Sequence, residues 1–205
     1  VVVSGPVASA KTVIATSQAF TSDASLDANP PVAIGETVTY SIPFNLQPGV
    51  TKVVTLVDEI TTGIGDVTLV AATLARSSLN LGAANNPASI NDGSVLNAPF
   101  DVFGSVSASG NEFQLALGDV TNTDSSAATY TLSITLRVAN VATNVAGHTI
   151  TDQGRIRYQD VAGTALTVIT SASKSVHVAL PVVQITKTAS PAAPVGGDTV
   201  TYTLT

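Results

Sequence analysis

Ala128-Thr129-Tyr130-Thr131-Leu132-Ser133-Ile134-Thr135-Leu136-Arg137-Val138 alternates without a break. Tyr130, Leu132, Ile134, Leu136 and Val138 fall on one side, and Thr129, Thr131, Ser133, Thr135 and Arg137 on the other. Successive side chains of a β-strand point to opposite faces, so the stretch predicts a strand with one buried and one wet face. The same period recurs where Val38, Tyr40 and Ile42 alternate with Thr37, Thr39 and Ser41. It returns in Phe113, Leu115 and Leu117, and again in Val176, Val178 and Leu180. Half-buried strands of this kind build antiparallel sheets packed face to face. The expected fold class is therefore all-β.

Turn chemistry separates these runs: Gly63-Ile64-Gly65-Asp66, Asn85-Asn86-Pro87, Asn91-Asp92-Gly93, Ser109-Gly110-Asn111 and Asp124-Ser125-Ser126. Thr68 to Ser78 reads equally as a short helix or as a strand ending at Arg76. Residues 77–99, rich in Asn, Ala, Gly and Ser, read as a long loop.

The composition narrows the function. Hydrophobic residues make up 44% of the 205 and charged residues 11%, enough apolar material for a large core. A net charge of −6 opposes nucleic-acid binding. No run approaches the roughly 18 apolar residues of a membrane helix, so no membrane contact is expected of these residues. No signal peptide is visible, and any such segment is expected upstream of Val1. With no Cys, the chain has no thiolate metal site and no disulfide framework.

One pattern occurs twice. Pro31-Val32-Ala33-Ile34-Gly35-Glu36-Thr37-Val38-Thr39-Tyr40 is echoed by Pro194-Val195-Gly196-Gly197-Asp198-Thr199-Val200-Thr201-Tyr202. Gly35, Glu36 and Tyr40 match Gly197, Asp198 and Tyr202 at one common offset, and Lys11 and Lys187 precede the two copies. This predicts one unit of about 160–175 residues followed by the opening strands of another. Residues 1–181 are expected as a β-sandwich repeat, with a boundary at Pro181 and a fresh strand over Val182 to Thr188. Residues 182–205 then begin a following repeat, or form a strand donated to a neighbour.

At these residues the chain resembles a known group. Ile185-Thr186-Lys187-Thr188 with Gly197-Asp198-Thr199-Val200-Thr201-Tyr202 is similar to the opening of DUF11-type repeats of bacterial surface proteins. The larger unit resembles the fimbrial isopeptide-formation D2-type domains of bacterial adhesins. The matching pieces run from Gly35 to Tyr40, Val54 to Ile64, Phe113 to Asn122 and Gly147 to Tyr158. The resemblance implies an immunoglobulin-like antiparallel β-sandwich in an extracellular stalk at the bacterial cell surface. It also implies an internal lysine–asparagine isopeptide bond assisted by an acid. The lysine maps to Lys11 and the assisting acid to Asp58. The asparagine position holds Asp152, a departure that makes water rather than ammonia the leaving molecule.

The residues themselves bear on this chemistry. Asp152 shares strand parity with Ile150, Ile156 and Tyr158, and Asp58 with Val54, Leu56 and Ile60. Glu36 shares parity with Val38 and Tyr40, which makes it a substitute proton relay. Periodicity leaves the direction of Lys11 open. Burial lowers a lysine pKa and raises a carboxyl pKa, and both changes favour condensation. A plainer alternative has Asp152 at a bulge satisfied by backbone amides, with Lys11 a solvated edge-strand lysine.

Calcium is the one candidate ion, with Asp119, Asn122 and Asp124 as the leading oxygen ligands and Asn91, Asp92 and Asp101 as further ones. Asn, Asp and Gly are also ordinary turn residues. Otherwise no cofactor is expected. Enzyme motifs for an external substrate are absent, and His148 and His177 stand far apart in sequence. The function expected is structural: a repeat of a surface adhesin, fimbrial stalk or filament, with neighbouring repeats or subunits as partners. The alternatives are an adhesive module gripping a glycan or host protein through its loops, and a filament subunit completed by its neighbour's strand.

Overall fold

A computed structural model of the chain describes residues 5–8, 10–18, 29–84, 94–96, 112–159, 166–180 and 185–205. The alternating stretches form the middle of its first sheet. The strand β4 (Thr37–Leu46) buries Val38, Tyr40, Ile42, Phe44 and Leu46 on one face. Antiparallel to it runs β10 (Ala128–Val138), with Leu132 opposite Ile42 and Ile134 opposite Tyr40. The far edge of β10 pairs with β6 (Val67–Arg76), and β6 pairs with β8 (Ser94–Leu96). Two short strands, β1 (Val7–Ala8) and β2 (Thr12–Thr16), both pair with the other edge of β4.

The second sheet runs in the order β3 (Pro31–Val32), β13 (Lys174–Val178), β11 (Thr149–Gln159), β5 (Gly49–Thr62), β9 (Glu112–Asn122) and β7 (Leu81–Ala83). The strand β12 (Leu166–Thr170) pairs with β11. Every pairing is antiparallel except that of β3 with β13. On the outer face, Arg157 on β11 bonds Glu112 on β9 at 2.6 Å, and Arg155 reaches Glu59 on β5 at 2.5 Å. Charged residues of opposite sign thus cover the wet side in cross-strand pairs.

The inner faces of the two sheets meet in one core. Asn122 on β9 donates to the carbonyl of Leu46 on β4, and Tyr130 on β10 donates to the carbonyl of Leu81 on β7. The sheets come close at Gly154 on β11, where an added Cβ would lie 2.3 Å from Ile42 Cγ2. Only a residue without a side chain fits there. Gly154→Ala is expected to cost about 1–3 kcal/mol through overpacking, read as a lower urea midpoint with an unchanged slope.

A third, two-stranded sheet stands apart from both. The residues of its two strands, β14 (Lys187–Ser190) and β15 (Thr201–Leu204), are all exposed.

Of the two readings of Thr68 to Ser78 the strand holds and ends at Arg76, because β6 is held by β10. Other expectations meet a different outcome. Residues 77–99 are not one loop. They include β7 and β8, and Leu81 is wholly buried on the β9 edge. Three-residue strands are too short to display a period. Phe113 is half-buried, in a strand whose pairing with β5 slips twice. Leu180 lies beyond the end of β13 and is 44% exposed. The described part of the strand expected over Val182 to Thr188 begins at Lys187. Pro181 and Val182 lie outside the described residues, as do Asn91, Asp92 and Asp101.

A candidate crosslinking site in the core

Lys11 sits in the gap between β1 and β2. Both strands hydrogen-bond to β4, and the gap falls beside Pro43, a residue with no N–H for a ladder. From there the Lys11 side chain turns into the sandwich, and it has no solvent exposure. Its Nζ forms ion pairs with Asp58 Oδ1 and with Asp152 Oδ2, and both carboxyl groups are equally buried.

The two acids come from neighbouring strands of the second sheet. Asp58 lies in the middle of β5, opposite Gly154, and Asp152 lies opposite Ile60 beside a slip in the β11–β5 register. The ring of Tyr40, itself 1% exposed, lies against the lysine, with Nζ 4.3 Å from the ring centroid. A lysine from one sheet thus meets two aspartates from the other over an aromatic floor.

One ammonium cannot balance two carboxylates in a dry site. Burial pushes the Asp152 carboxyl well above its usual range, and the charge of Asp58 pushes it further, while Lys11 pulls it back in part. Burial also raises the Tyr40 phenol, with added contributions from Asp152 and Asp58. Asp58 Oδ2 and Asp152 Oδ1 have no donor if both groups are carboxylates. A proton held on Asp152 removes the excess charge and gives the pair a donor.

Asp152 does stand beside a bulge, but its oxygens face Lys11 and Asp58 rather than backbone amides, and Lys11 is not an edge lysine in water. Glu36 is occupied differently from the two aspartates. It is 2% exposed, and its two oxygens accept from the backbone N–H groups of Gln18 at 3.1 Å and Ala33 at 2.7 Å. It clasps the end of the lysine-bearing segment to the turn before β4.

The three leading oxygen residues for calcium take up separate hydrogen bonds. Asp119 accepts from Lys52 Nζ at 2.5 Å and from the N–H of Val53, a bulge residue with φ of 51°. Those two bonds, Lys52 first, hold its pKa below the usual value. Asn122 bonds Leu46 and Ser126 through its amide N–H and accepts from the Asp124 N–H. Asp124 accepts from Asn80 at 2.6 Å, and hydrogen bonds from Ser78 and Asn80 lower its pKa. Among the described residues no three His, Cys, Asp or Glu side chains gather as a metal site. His148 pairs with Asp66 at 2.7 Å.

Sequence reading placed Tyr40 in the core but missed its contact with the lysine. The signal available was the repeat itself, in which a lysine and a tyrosine recur together. Gly154 was missed as well, because a single glycine inside a strand does not announce which strand it faces.

No protein-family model matches the chain, and no curated protein matches it. Solved structures do. The C-terminal domain of the Streptococcus agalactiae antigen I/II polypeptide BspA is similar over 84% of this chain and 50% of its own, at 14% identity and a TM-score of 0.50. The corresponding domain of the Streptococcus pyogenes antigen I/II-family protein AspA is similar over 82% of this chain and 45% of its own, at 14% identity and a TM-score of 0.50. A variant of BcpA, the major pilin subunit of Bacillus cereus, matches 89% of this chain and 42% of its own, at 16% identity and a TM-score of 0.51. The chain spans half or less of each of these structures. The topology and these likenesses together make the chain an all-β, immunoglobulin-like antiparallel β-sandwich.

Proposed function

We propose that this chain is a load-bearing unit of a bacterial surface adhesin, fimbrial stalk or filament, closed internally by an amide between Lys11 and Asp152. The observation that carries the reading is a lysine amine with no solvent exposure, held between two fully buried carboxyl groups inside a β-sandwich core. The sandwich fold it shares with surface adhesin domains and a pilin supports the same reading.

The chemistry follows from the charges. In the dry site a proton moves from the Lys11 ammonium to Asp58, leaving a neutral amine and a neutral acid. The amine lone pair attacks Cγ of protonated Asp152, and a C–N bond forms. Asp58 takes a proton from the attacking nitrogen and gives one to the departing hydroxyl. The C–O bond breaks and one water leaves. Asp58 ends protonated, keeping the proton that left the Lys11 ammonium, and acts as the relay between nitrogen and hydroxyl. Tyr40 positions the amine. Glu36 holds the strand that carries it and is not needed for the proton transfer.

Such a unit works by stacking with neighbouring repeats or subunits outside the cell. The direct test is intact mass. The expected mass is one water below that of the sequence, with a proteolytic peptide joining Lys11 to Asp152, and Lys11→Ala is expected at its full sequence mass. A wild-type chain at sequence mass overturns the reading.

A further inference from the structure

The exposed hairpin repeats the lysine–tyrosine side of the buried site. In the first copy Thr12 pairs with Ser41 and Val13 with Tyr40. In the second, Thr188 pairs with Thr203 and Ala189 with Tyr202, the residues that match Ser41 and Tyr40 in the sequence repeat. Lys11 precedes Thr12 just as Lys187 precedes Thr188. Lys187 Nζ lies 4.0 Å from the Tyr202 ring centroid, as Lys11 Nζ lies 4.3 Å from that of Tyr40.

The turn is repeated too. The Glu36 N–H donates to Ala33 O at 3.1 Å, and the Asp198 N–H donates to Val195 O at 3.0 Å. Glu36 accepts from the Ala33 N–H at 2.7 Å, and Asp198 from the Val195 N–H at 2.8 Å. Gly35 and Gly197 precede these acids with φ of 85° and 98°.

What differs is the cover. The Tyr40 face lies under the second sheet with its two aspartates. Tyr202 is 59% exposed and Leu204 68% exposed. Apolar residues at strand positions matching a buried face call for a partner of matching shape.

We propose that Lys187 is a second crosslinking lysine, and that the hairpin Lys187–Leu204 is the opening of a second sandwich. Its partner is a β-sheet that offers two inward carboxyl side chains, arranged as Asp58 and Asp152 are on β5 and β11. The bond is the same condensation, in which the lysine nitrogen joins a carboxyl carbon and one water leaves. This rests on the reading of Lys11.

Two measurements test it. In the 205-residue chain, the Lys187 ε-methylene protons are expected to be shifted upfield by the Tyr202 ring, and Tyr202→Leu is expected to abolish the shift. An unshifted signal overturns the shared geometry. For the bond, residues 1–204 are continued directly into a second copy of residues 43–181, since Leu204 is the counterpart of Ile42. The extended chain is expected to lose two waters, with Lys187 joined to an Asp152 peptide, and Lys187→Ala in the same chain is expected to lose one. An extended chain that loses one water and leaves Lys187 free overturns this inference while the Lys11 reading stands. A 205-residue chain at full sequence mass overturns both.

Discussion

Asp58→Ala is expected to leave the chain at its full sequence mass, with Lys11 and Asp152 unjoined. Removing this acid leaves one ammonium beside one carboxylate in the core, a balanced pair that lets the sandwich form. What is lost is the relay and, with it, the amide. An intramolecular crosslink spanning from the first strands to β11 restricts the unfolded chain by roughly 5 kcal/mol in the loop-closure description used for disulfides. The variant is therefore expected to unfold about 5 kcal/mol more readily in guanidinium, with its native fold kept in dilute buffer. An Asp58→Ala chain that still sheds a water removes Asp58 from the chemistry.

Lys11→Met produces the second large effect, a stability that depends steeply on pH. Without the ammonium, Asp58 and Asp152 face each other in a site closed to bulk solvent, and the folded state must retain a proton. The Asp152 carboxyl already lies well above its ordinary range with the lysine present. The unfolded chain releases that proton near the usual aspartate pKa of about 4. The folded protein thus binds more protons than the unfolded chain above that value. The stabilising contribution is complete at lower pH and is lost as pH rises through the folded pKa. The limiting slope is about 1.4 kcal/mol per pH unit for each proton retained. Urea denaturation from about pH 4 to 8 reads this directly. The Lys11→Met/Asp58→Asn/Asp152→Asn triple variant, with no titrating group left in the site, is expected to be nearly flat over the same range. Equal slopes in the two would show that the buried acids retain no proton.

How much of this the sequence could reveal depended on length of pattern. The strand β4 carries five inward residues and β10 six, and their shared period buries Tyr40, Ile42, Leu132 and Ile134 together. The inward parity of Asp58 and Asp152 was readable because each sits within a strand of more than ten residues. Lys11 was different. It lies between strands of two and five residues, where no period can be counted. Its burial is decided by partners far away in sequence, on β5 and β11. The segment Thr68 to Ser78 shows the same limit from another side. Its Leu and Ala residues suit a helix, and only the ladder to β10 makes it a strand. Glu36 was readable as buried, but its employment by two backbone amides was not, since that depends on where Gln18 and Ala33 arrive in space.

Lys11 and Asp152 belong to opposite sheets, near the start and toward the end of the sandwich. With the amide in place, tension entering at one terminus crosses from the first sheet to the second through a single side-chain link. The polypeptide between the two anchors is then slack. Its contour cannot be paid out, however long it is, so the number of residues between β7 and β9 does not set how far the unit extends when pulled.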